Sequence, residues 1–148
     1  MPPERCGLVE DLRMKKLLLL VCAAGLAGCA ATDDDVEARA DGEATLAAEL
    51  ADYEQVGEPE SCVPLRTLGG NRSAGEGAII FDGPGSRIYV NRPPAGCPEL
   101  RFGRSLQIRT SSSQLCRGDI ATVFDSPSNM TYGACGLGDF TPYERRKR

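Results

Sequence analysis

Four cysteines, Cys62, Cys97, Cys116 and Cys135, are spread through residues 61–148 at intervals of 35, 19 and 19. With no Cys-x-x-Cys pair, a thioredoxin-like redox site is not indicated. The wide intervals also lack the close pairs that zinc knuckles use. An even set of separated cysteines in a small exported chain reads as two structural disulfides. Three connectivities are open. The expected one is Cys62–Cys135 with Cys97–Cys116, since the first ties the ends of the domain and the second closes a hairpin-sized loop. In the loop-entropy picture these links contribute roughly 4.5 and 3 kcal/mol.

Export is legible upstream. Met14-Lys15-Lys16 is a short positive start, and Leu17 to Gly28 is an uninterrupted apolar or small-residue run of 12 residues. A bilayer core of ~30 Å needs about 20 such residues, so this run has the length of a signal-peptide core instead. It ends in Leu26-Ala27-Gly28-Cys29, which resembles the lipobox of bacterial lipoprotein precursors. That resemblance implies a diacylglyceryl group on the Cys29 thiol, cleavage just before it, and acylation of the new amine. Each buried methylene contributes roughly 0.8 kcal/mol, so two or three chains make such an anchor effectively permanent. Residues 1–28 therefore read as a signal peptide. Glu4, Glu10 and Asp11 are foreign to a positive n-region and place the true start at Met14, leaving Cys6 outside; Cys22 reads as a small hydrophobe. Ala30-Ala31 after the cysteine, with no Asp directly following, implies by the same resemblance the outer membrane, facing the periplasm.

Charge divides the remainder. Cys29 to Glu60 holds eleven acids and one base, Arg39, whereas Ser61 to Arg148 holds seven acids and twelve bases. The acidic segment has few large apolar residues, so residues 29–60 read as a lipidated cysteine and a solvated flexible stalk. Leu46, Leu50 and Tyr53 fall at helical spacing, which allows a short helix if the arm folds back onto the basic domain. Arg145-Arg146-Lys147-Arg148 reads as a solvated, disordered basic tail over residues 144–148, with contact to anionic lipid or glycan as the alternative.

Between them, residues 61–143 read as mainly β. Ala78 to Asp82, Ser86 to Asn91, Ser105 to Thr110 and Asp119 to Asp125 are short, β-branched and bounded by turn residues, with another strand near Val63 to Leu68. Asp82-Gly83-Pro84-Gly85-Ser86 is a hairpin turn. In the second strand Ile88 and Val90 share one side, and Arg87, Tyr89 and Asn91 the other. In the fourth, Ile120, Thr122 and Phe124 share a side. Period-2 alternation predicts antiparallel sheet with one wet face. The expectation is a small disulfide-stapled barrel or sandwich of five or six strands.

Histidine is absent, which removes Ser-His-Asp and Cys-His nucleophiles, His-liganded zinc and the ordinary neutral-pH proton shuttle. Gly133-Ala134-Cys135-Gly136-Leu137-Gly138 is glycine-rich but no βαβ unit surrounds it, so it reads as tight turns about a disulfide. Asp82, Asp119, Asp125 and Asp139 are candidates for a carboxylate acid/base pair, but they sit at strand ends where Asp serves turns. Asn71-Arg72-Ser73 and Asn129-Met130-Thr131 match the glycosylation sequon, without meaning in a bacterial chain. Arg87, Tyr89, Asn91 and Arg92 form the candidate binding surface, since Arg and Tyr are frequent interface anchors.

The residues Cys62-Val63-Pro64-Leu65, Arg87-Ile88-Tyr89-Val90-Asn91-Arg92 leading to Cys97-Pro98, Leu115-Cys116 with Asp119-Ile120, and Cys135-Gly136-Leu137-Gly138-Asp139-Phe140 resemble a family of small lipoproteins of Gram-negative bacteria built on a domain of unknown function. The resemblance implies an exported, disulfide-bonded lipoprotein and no mechanism. The reading is a lipid-anchored, non-enzymatic envelope module without cofactor. Its expected partners are the membrane, an envelope protein or an anionic glycan or lipid, and not nucleic acid. The alternative is a small histidine-free hydrolase or glycan-processing enzyme using Asp carboxylates.

Overall fold

The computed structural model describes residues 33–101 and 104–147. The segment expected to be a signal peptide, Cys29 and residues 30–32 lie outside the described residues. In chain order the elements are α1 (Asp33–Glu49), β1 (Tyr53–Gln55), β2 (Cys62–Pro64), a 3-10 turn (Leu65–Thr67), β3 (Asn71–Ala74), β4 (Ala78–Asp82), β5 (Arg87–Asn91), β6 (Ser105–Ile108), β7 (Gln114–Cys116), β8 (Ile120–Asp125), β9 (Met130–Gly136) and β10 (Phe140–Arg145). A five-stranded sheet has the order β1-β10-β5-β4-β3; β2 pairs with β7; a three-stranded sheet has the order β6-β8-β9. Every pairing between these strands is antiparallel.

The mainly β, disulfide-stapled, antiparallel fold is as the alternation predicts, but it is layered on both sides. Ile79, Phe81, Tyr89 and Phe140 from the large sheet pack against Val63 and Leu115 of the β2–β7 pair and Ala121 and Val123 of β8. On the opposite face, Ala78, Ile80, Ile88 and Val90 pack against Leu46 of α1. The large sheet's inner strands thus have no wet face. Burying a side chain of this size contributes roughly 1.5–3 kcal/mol, which is why both faces of β4 and β5 are filled by large apolar residues. In β8 the buried side is Ala121 and Val123, while Ile120 points outward.

The hairpin between β4 and β5 forms where Gly83-Pro84-Gly85 predicts it. Gly83 N–H donates to Arg87 O at 2.9 Å, and Gly85 takes the positive φ of 65° that closes the turn. Ten strands replace the expected five or six. Those not anticipated are either three or four residues long, or interrupted by Gly, Pro or a bulge, as in β9 and β10.

Three sequence expectations are corrected. The disulfides are Cys62–Cys116 and Cys97–Cys135, not Cys62–Cys135 with Cys97–Cys116. Strand pairing decides this rather than loop closure: β2 against β7 sets Cys62 directly opposite Cys116, and Cys135 turns inward from β9 to meet the buried Cys97. From Asp33 onward the acidic stalk is ordered and not a flexible coil, although most of its residues stay exposed. It forms α1, whose Leu46 is buried, and β1, which pairs with the C-terminal strand. Lastly, residues 144–146 are not a free tail, because β10 runs through Arg145 and Arg146 N–H donates to Asp52 O at 2.8 Å. The Arg146 guanidinium also donates to the carbonyls of Ala51 and Tyr53, at the C-terminal end of α1 where a cation is favoured.

Candidate interaction surface

The four residues expected to form a binding face do not form one. Arg87 lies near the surface, paired with Glu144 of β10 at 2.6 Å. Tyr89 is 5% exposed within the inner core, and a side chain at Gly83 would touch its ring, so the hairpin turn closes over it. Asn91 is fully buried: its amide donates to Gly138 O at 2.7 Å and its carbonyl accepts Gly138 N–H at 2.9 Å. Arg92 holds Glu43 of α1 with two hydrogen bonds of 2.5 and 2.9 Å. The Arg92 guanidinium keeps the Glu43 carboxyl below the usual glutamate range. Alternation placed Tyr89 and Asn91 on one side correctly, but the second layer covers that side.

The Asp residues are each engaged locally. Asp82 pairs with Arg72 at 2.6 Å, and the same Arg72 reaches Glu49 of α1 at 2.9 Å. Asp119 accepts Cys116 N–H at 2.8 Å. Asp125 accepts Ser128 N–H at 3.1 Å, fixing the turn before Asn129 at φ 55°. Asp139 faces Arg117 at 3.3 Å through Oδ2, while its Oδ1 is buried without a hydrogen-bond partner among the described residues. Each thus serves a turn or an ion pair, and no cluster among the described residues could hold a metal ion. Gly138 in the glycine-rich segment is required for contact: a Cβ there would stand 2.1 Å from Arg92 O.

Arg72, Arg87, Arg92, Arg101, Arg104 and Arg117 all pair with carboxylates. Arg66 and Arg109, like Arg39 and Arg146, form no ion pair with a carboxylate among the described residues; Arg109 reaches Gln107 Oε1 at 3.5 Å. Arg66 and Arg109 belong to stretches without a single acid, Ser61–Gly75 and Leu100–Gly118. The fold joins these stretches through the β2–β7 pair and a Leu65 N–H bond to Ser113 O of 3.0 Å.

There, Pro64, Leu65, Arg66, Ser113 and Gln114 line an open cleft of about 500 Å³. The turn beside it is held by hydroxyls: Ser112 N–H donates to Thr110 Oγ1 at 3.2 Å, and Ser112 Oγ donates to Gln114 O at 2.6 Å. Ser111, Ser112, Ser113 and Gln114 are exposed, as are Arg66 and Arg109. In the sequence, Ser111 to Ser113 reads only as a polar loop. The signal for this surface was the absence of acids from two segments whose proximity depends on strand pairing. No family model, curated protein or solved structure matches the chain.

Proposed function

We propose that the chain is a lipid-anchored envelope protein, attached through Cys29 and facing the periplasm from the outer membrane. Its folded part acts as a non-enzymatic interaction module. The observation that carries this reading is the cysteine accounting: all four domain cysteines pair with one another, so Cys29 has no domain thiol to join. A cysteine at the end of a 12-residue apolar run, following Leu26-Ala27-Gly28, is then available for lipidation. Two disulfides within so small a domain suit an oxidising compartment. The interaction role is supported by the engagement of Asp82, Asp119, Asp125 and Asp139 in ion pairs and turns, which leaves them the roles of structural carboxylates. The resemblance to small lipoproteins of Gram-negative bacteria points the same way.

Intact mass of the protein from membrane fractions, before and after reduction with alkylation, tests the anchor and the disulfides together. The expected species begins at an acylated Cys29 and gains four alkyl groups only after reduction. A chain that retains residues 1–28, or that carries free thiols without reduction, rejects the proposal.

A further inference from the structure

We infer that the face of the large sheet beneath α1 is a docking site for an acidic amphipathic helix of a partner protein, and that α1 is the chain's own occupant of that site. The inference rests on the interaction role proposed above and names its surface and the partner's chemistry. Ile80, Ile88 and Val90 form an apolar strip across β4 and β5, and Leu46 of α1 packs on it. Arg72, Ile80 and Val90 are direct cross-strand neighbours on β3, β4 and β5, so a guanidinium borders the strip on the same face. Arg92 follows β5 and supplies a second. Helix α1 presents to them Glu43-Ala44-Thr45-Leu46-Ala47-Ala48-Glu49. At 3.6 residues per turn, Glu43 and Glu49 lie about 60° to either side of Leu46. Glu43 meets Arg92 at 2.5 Å and Glu49 meets Arg72 at 2.9 Å. The surface therefore selects a leucine flanked by two carboxylates, a pattern any helix of that chemistry can offer.

The occupant on the page is lightly held. From Asp34 to Glu49, only Ala38, Gly42 and Leu46 are not exposed. Gly42 sits inside the helix, where glycine is unfavourable. Both ion pairs are open to solvent, and such pairs contribute little. The disulfides join β2 to β7 and Cys97 to β9, so no covalent bond ties α1 to the sheet. An element with so few buried apolar contacts opens well below global unfolding. Arg72 keeps Asp82, at 2.6 Å, when α1 leaves, which holds its guanidinium in place for an incoming carboxylate.

The test uses the full chain in detergent micelles, with isotope-labelled isoleucine methyls, and a synthetic peptide of residues 33–52 as the helix in trans. A tethered segment acts at about millimolar effective concentration, so the peptide is titrated through that range. It should shift the methyls of Ile80 and Ile88, with an apparent Kd that falls as the chain's own helix is loosened. Leu46→Ala in the chain should tighten peptide binding about thirtyfold, the low end for deleting a buried leucine. Glu43→Gln with Glu49→Gln in the chain spares the core and should tighten it about fivefold. The same substitutions placed in the peptide should weaken binding, a reversal that a purely structural helix would not give. Four results would each overturn the inference: a peptide indifferent to its own Leu46, chain variants that leave its affinity unchanged, equal shifts from a scrambled peptide, or a face taken up by detergent or by a second copy of the chain. Sedimentation velocity reads the second copy. None of these results depends on the state of Cys29, so failure here is distinct from failure of the anchor.

Discussion

Replacing Asn91 by alanine should remove the most consequential polar contact of the core. The side chain is fully buried and satisfies both backbone groups of Gly138, at 2.7 and 2.9 Å, across 47 residues of chain. In Asn91→Ala, the N–H and the carbonyl of Gly138 both lose their partner in a buried place. Each unsatisfied group costs about 1–3 kcal/mol, so the pair costs about 2–6 kcal/mol before the vacated volume is counted. A domain of this size has a total stability of about 5–15 kcal/mol, so the loss is a large share of it.

The assay is urea unfolding with the disulfides intact. It is followed by far-ultraviolet circular dichroism and tyrosine fluorescence, the chain having no tryptophan. A midpoint shift worth less than about 1 kcal/mol would show that Gly138 finds water instead, and the reasoning would be wrong. Asn91→Asp adds a control with a sign. Its carboxylate still accepts Gly138 N–H but opposes Gly138 O, so it destabilises at neutral pH. The defect should ease as acid protonates the introduced carboxyl and restores a donor.

Further outcomes follow from the same contacts. Non-reducing peptide mapping should recover Cys62 linked to Cys116 and Cys97 linked to Cys135; with separations of 54 and 38, loss of either link should cost roughly 4 kcal/mol. Glu43 has its folded-state pKa lowered by Arg92, so its contribution is present above the ordinary glutamate range and is lost as pH falls through and below it. Amide exchange in α1 should therefore rise on acidification and in high salt, and Glu43→Gln should flatten the pH response. Gly42→Ala should destabilise the domain although alanine is better by about 1 kcal/mol inside a helix, because the new Cβ would sit 3.0 Å from Ala74 O. A thermal midpoint above the parent's would show that α1 can lift away from the turn at little cost.

The strands with β-branched alternation and strong turns were readable in advance. Ala78–Asp82 matches β4, and Arg87–Asn91 and Ile120–Asp125 lie within a residue of their expected limits. Which side of a strand is wet was not readable, because that depends on what other segments cover it. Tyr89 and Asn91 look like surface residues until the β2–β7 pair and β8 are laid over them. The acidic arm misleads for a related reason. Its composition argues for solvation, yet one buried leucine, two glycines in contact and two ion pairs from Arg72 and Arg92 are enough to hold α1 in place. Cysteine pairing failed on the same ground, since an entropic rule sees distance along the chain and not which strands lie side by side. The cleft that joins Arg66 to Ser113 and Gln114 is visible only after that pairing is known.

The placement of β10 has a consequence for the order in which the molecule can be made. β10 inserts between β1 and β5, so the large sheet joins its earliest strand to its middle through its latest one. A chain threaded from its N-terminus has both β1 and one edge of β5 open until Phe140–Arg145 emerges. Helix α1 already has β3, β4 and β5 to rest on, and lacks only Tyr143 at its margin. Synthesis or translocation must therefore deliver nearly the whole domain before cooperative closure, and a nascent chain stopped short of β10 presents bare strand edges to whatever attends it.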